Sequence, residues 1–91
     1  STPNDTHETL IESALMALSV TNPVAVDALR LEVGAGWHAV ALRYGVKNYD
    51  PRAMAQEQRA NVLSVSLRTY RRRLAEAKQT VSNSFYKPQG E

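Results

Sequence analysis

Ninety-one residues, 43% of them apolar, with one tryptophan and no cysteine, allow one compact core and exclude disulfides and cysteine-based zinc centres. The net charge is only +2 but unevenly spread. Residues 1–12 carry Asp5, Glu8 and Glu12 without a basic residue, whereas residues 66–79 carry Arg68, Arg71, Arg72, Arg73 and Lys78 against Glu76 alone. No apolar run reaches membrane-spanning length, and the polar, acidic beginning is unlike a signal peptide. The expectation is a single all-α domain over 1–91, a bundle of four to five helices, cytoplasmic and free of membrane partners.

Helical signals recur along the chain. Asp5 with Glu8 forms a capping-box pattern ahead of "LIESALMALS". Leu10, Ala14, Ala17 and Leu18 then fall at helical spacing, and Ile11 and Leu15 widen the stripe. Asn22 and Pro23 suit a cap and a first helical position for "VAVDALRLEV", which Gly34 and Gly36 interrupt. "WHAVALRYG" places Trp37, Val40, Ala41 and Tyr44 on one core-facing stripe ending at Gly45. After a short connection, Asp50 and Pro51 predict a fourth helix carrying Ala55, Val62 and Leu63 inward. Ser66 then caps a long last helix from Leu67 to about Ser84, with Tyr70, Leu74, Ala77, Val81 and Phe85 along one seam. Residues 1–4 and 86–91 read as polar tails.

Several signals are explained without chemistry. "GAGWHA" matches a dinucleotide fingerprint in letters, but the helical "DALRLEV" before it leaves no strand to present a phosphate. His7 and His38 lack a cysteine or an acid at metal-ligand spacing, so no metal or other cofactor is expected. Ser64 and Ser66 are turn and cap residues, and no nucleophile–base set is apparent, which points away from an enzyme.

The segment "QEQRANVLSVSLRTYRRRL", Gln56 to Leu74, carries the functional reading. Two helices crossing over a tight turn need a small residue at their contact, supplied by Ala60. They also need apolar residues at the turn, supplied by Leu63 and Val65, and on the inner side of the second helix, supplied by Tyr70 and Leu74. These letters resemble the helix-turn-helix of bacterial and phage regulators of the factor-for-inversion-stimulation and sigma-region-four type. Ala60, Val65, Ser66, Thr69 and Leu74 match that pattern as they stand. The turn position usually held by glycine is Ser64, so a positive φ there would carry strain. The wider stretch from Trp37 to Val81 also resembles, in layout, phage antitermination Q-like transcription regulators, which engage RNA polymerase.

The resemblance implies a site. With Tyr70 and Leu74 inward, Leu67, Arg68, Arg71 and Arg72 face outward, the face that family inserts in the major groove. Arginine there suits bidentate pairing to guanine. Arg73 lies off that face, toward a phosphate or an intramolecular acid. Ser66 is placed to donate to a phosphate at the helix start, and Arg59, Arg52 and Lys47 to contact phosphates from the preceding helix and loop. The implied function is a sequence-specific double-stranded-DNA-binding transcription regulator, plausible as a phage protein acting with RNA polymerase. The long seam also allows a homodimer. Competing readings are a DNA-packaging recognition subunit, a recombination accessory factor, and a protein-interaction module that binds the transcription machinery without touching DNA.

Overall fold

The structure, a computed structural model, describes residues 3–85, the side chains at 3–8 and 85 excepted. Among the described residues the fold is all-α, with five helices: α1 (Pro3–Thr21), α2 (Pro23–Val33), α3 (Trp37–Arg43), α4 (Gln56–Val62) and α5 (Leu67–Phe85). No strand occurs among the described residues. The tail residues 1–2 and 86–91 and the Phe85 side chain lie outside them.

α2 sits at the centre because it is apolar almost all round, a pattern that only full burial satisfies. Ala25, Val26, Ala28, Leu29 and Leu31 are all buried, and α2 packs against each of the other four helices. α1 and α5 close a three-helix layer with it, while α4 bridges α2 and α5. The start of α2 follows the local signal: the Asn22 side chain accepts from Ala25 N–H, and Pro23 occupies the first turn. The Asn22 side chain also donates to Glu76 at 2.9 Å, pinning the α1–α2 junction to α5. Gly34 ends α2 in the left-handed region, its N–H returned to Arg30 O.

Three expectations need correction. α1 starts at Pro3, so residues 3 and 4 are helical and Asp5 lies within the helix rather than at its cap. Its inward stripe runs through Ile11, Leu15 and Leu18, leaving Leu10 and Ala17 exposed. Tyr44 is not core: it is exposed and donates its hydroxyl to Asp27 at 3.1 Å. Asp27 is buried on α2 and also receives both terminal nitrogens of Arg43 at 2.9 Å, which anchors α3 to α2.

The third correction concerns α4. Asp50 and Pro51 initiate only one turn, with Asp50 accepting from the N–H groups of Arg52 and Ala53. The chain then extends at Ala55 (φ −80°, ψ 165°), and α4 begins at Gln56. Tyr49 is buried in a stack on Trp37, ring centroids 5.4 Å apart, and Met54 packs on the core. Gln58 caps the restart by accepting from Ala55 N–H at 2.8 Å, leaving Ala55 itself exposed.

Candidate nucleic-acid interface

Residues 63–66 join α4 to α5 in a tight turn. Ser64 adopts φ 59°, the left-handed conformation that favours glycine, and donates its N–H to Asn61 O. Val65 N–H returns to Ala60 O at 3.0 Å, and Ala60 is buried at the helix contact. Ser66 then caps α5: its Oγ accepts from Thr69 N–H at 3.1 Å and donates to Thr69 Oγ1 at 3.0 Å. Because the turn needs a positive φ but not a side chain, Ser64→Gly should raise stability by about 0.5–1 kcal/mol. Urea unfolding measures this; a destabilised variant would mean that the Ser64 side chain has a role of its own.

The bend turns α5 so that Tyr70, Leu74 and Ala77 are buried while Arg68, Arg71 and Arg72 are exposed on the opposite face. None of these three arginines forms an ion pair among the described residues. Leu67 is half-buried at their edge. The helix itself offers the N–H groups of Leu67 and Arg68 no carbonyl.

Arg71 is oriented from below. Its Nε donates to Gln56 Oε1 at 3.0 Å, and Gln56 Nε2 donates to Glu32 Oε2 at 3.1 Å. Glu32 also accepts from Tyr70 OH at 2.8 Å and Arg59 Nη1 at 3.1 Å. One carboxylate at the end of α2 therefore ties the start of α4, the inner side of α5 and, through Gln56, an outward arginine. Sequence reasoning missed Glu32 and Gln56. The available signal was an acid in the last turn of a mostly apolar helix that also carries Asp27 and Arg30.

This network responds to pH in both directions. Burial opposes ionisation of Glu32, but hydrogen bonds from Tyr70 and Gln56 and the charge of Arg59 outweigh it and hold the carboxyl below its ordinary range. Its contribution is therefore complete above the ordinary glutamate value and is lost as pH falls through the lowered one. Burial first, then the bond to Glu32 and its charge, push the Tyr70 hydroxyl upward. That contribution is complete below the ordinary tyrosine value and is lost as pH rises through the raised one. Thermal midpoints across pH should fall at both ends, and Glu32→Gln should flatten the acid limb; an unchanged acid limb would contradict the assignment.

The other expected phosphate contacts do not stand together. Arg59 is a correction: its side chain is only 12% exposed, and Glu32 and Pro51 O occupy its two terminal nitrogens. Its Nε is buried as well, and the group lies close enough to the buried Tyr49 hydroxyl to act on it, so burial and these partners commit the guanidinium to the interior rather than to a phosphate. Arg73 takes the acid alternative, pairing with Glu76 at 3.1 Å while half-buried. That pair and the Asn22 bond, the larger influence, hold the Glu76 carboxyl below its usual range. The Ser66 hydroxyl hydrogen is already directed to Thr69. Arg52 stands fully outward in the turn before α4, 3.8 Å from Asp50, and Lys47 is exposed on the α3 side beside Trp37 and Tyr49.

Comparison of the chain with protein-family models, with curated proteins and with solved structures returned no match. The reading of this surface therefore rests on its own geometry. What that geometry offers is a helix presenting three exposed guanidinium groups outside any ion pair among the described residues, suited to planar acceptors on phosphates and base edges.

Proposed function

We propose that the chain binds double-stranded DNA sequence-specifically through α4, the turn and α5, acting as a helix-turn-helix transcription regulator. The observation that carries this reading is the left-handed Ser64 between a buried Ala60 and a Ser66-capped α5. That is the conformation a helix-turn-helix requires at its turn, and it occurs here although the residue is not glycine. Support comes from Arg68, Arg71 and Arg72, which share the outward face and lack acidic partners among the described residues.

In this reading α5 enters the major groove with Arg68, Arg71 and Arg72 at base edges or the groove rim. Arg52 and Lys47, both exposed, are the remaining candidates for phosphate contacts. A role alongside RNA polymerase belongs to the same proposal and follows from the resemblance to phage regulators. The test is selection of bound sequences from a random duplex pool. Enrichment of one motif supports the reading, and a palindromic motif adds a dimer. A pool that stays random through successive rounds would contradict sequence-specific binding.

A further inference from the structure

Away from the arginine face, α1, the end of α2 and the second half of α5 enclose an open cavity of about 300 Å³. Leu15, Leu29, Val33 and Val81 supply apolar walls, and the charged groups Glu12, Arg30 and Lys78 also line it. A cavity of this size holds a short aliphatic or aromatic chain, and apolar walls with a few fixed polar groups are the usual make-up of small-ligand sites.

The charges decide what kind of chain. Lys78 is exposed and in no ion pair among the described residues, although its charge reaches Glu32. Arg30 is held in place from two sides. Its Nη2 is paired with Glu12 at 3.1 Å, and its stem and Nη1 lie against Gly36, where an added Cβ would come within 3.0 Å of Nη1. Among the described residues that line the cavity, one acid, Glu12, is thus set against two cations, and Lys78 is the cation left without an ion pair beside the apolar hollow.

We propose that this cavity binds a small amphipathic carboxylate, its tail among Leu15, Leu29, Val33 and Val81 and its carboxylate at Lys78 and Arg30. The site is independent of the DNA reading and stands or falls by its own test. Octanoate, octylamine and octanol serve as probes of equal tail and different charge. With the full chain, octanoate should shift the methyl resonances of Leu15, Val33 and Val81 at about millimolar concentration. It should bind about tenfold more tightly than octylamine, with octanol between.

Lys78→Glu should remove most of the octanoate preference, and Val81→Phe should fill the hollow and abolish binding of all three probes while the fold persists. Methyl resonances unmoved at about 10 mM octanoate would overturn the proposal. So would equal affinity for the anion and the cation, or a chain whose self-association shields these methyls instead.

Discussion

Tyr70→Ala should remove about 3–5 kcal/mol of stability, the cost typical of deleting a fully buried aromatic ring. Tyr70 has no exposed surface and lies on α5 opposite the arginine face. Its ring is core for the α4–α5 pair, and its hydroxyl serves Glu32 at 2.8 Å and lies 3.3 Å from Ala28 O. Truncation leaves a cavity and also strips a donor from a half-buried carboxylate. A domain of this size has only about 5–15 kcal/mol in all, so the variant should lose most of its cooperative unfolding transition. Tyr70→Phe keeps the ring and should cost about 1–3 kcal/mol, the worth of a hydrogen bond to a charged group. Urea titration followed by circular dichroism separates the two. A Tyr70→Ala variant within about 1 kcal/mol of the parent would mean that Tyr70 is not the centre of this packing.

The second large effect falls on binding and leaves the fold alone. Replacing Arg68, Arg71 and Arg72 together with alanine should weaken binding to a selected duplex by about 3–6 kcal/mol, roughly 10²–10⁴-fold. All three side chains are exposed, so the change in stability should stay within about 0.5 kcal/mol each. Arg71→Ala alone should relax the preferred sequence at one position. Gln56→Ala should act in the same direction but more weakly, because it frees Arg71 Nε without removing the charge. Fluorescence anisotropy on a labelled duplex reads these losses. A triple variant that binds as the parent does would place the docking face elsewhere.

Most features set by neighbours in sequence were legible, the Asp5–Glu8 cap of α1 excepted, and those set by distant partners were not. Asn22 with Pro23, Gly34 and Ser66 are caps whose partners lie within four residues, and the structure uses each as its residue type predicts. The Ala60, Val65, Tyr70 and Leu74 pattern likewise stated which side of α5 turns inward. Arg59 went the other way because its acid, Glu32, is 27 residues distant and carries no local mark. Tyr44 looked like core by its spacing, yet Asp27, 17 residues earlier, draws its hydroxyl to the surface of α2. The Asp50–Pro51 signal produced one turn where a longer helix was expected, and the chain extends at Ala55 before α4 restarts under the Gln58 cap.

Whether the α5 arginines meet nucleic acid is addressed most directly by the salt dependence of duplex binding. Affinity of the full chain for a duplex of about 20 base pairs should be measured from low to moderate salt. The expected result is a straight fall of log K with log salt, at about −0.9 per phosphate contacted and several units in all, with the slope reduced when Arg68, Arg71 and Arg72 are replaced. No measurable binding at low salt, or a slope that the three replacements leave unchanged, would contradict it.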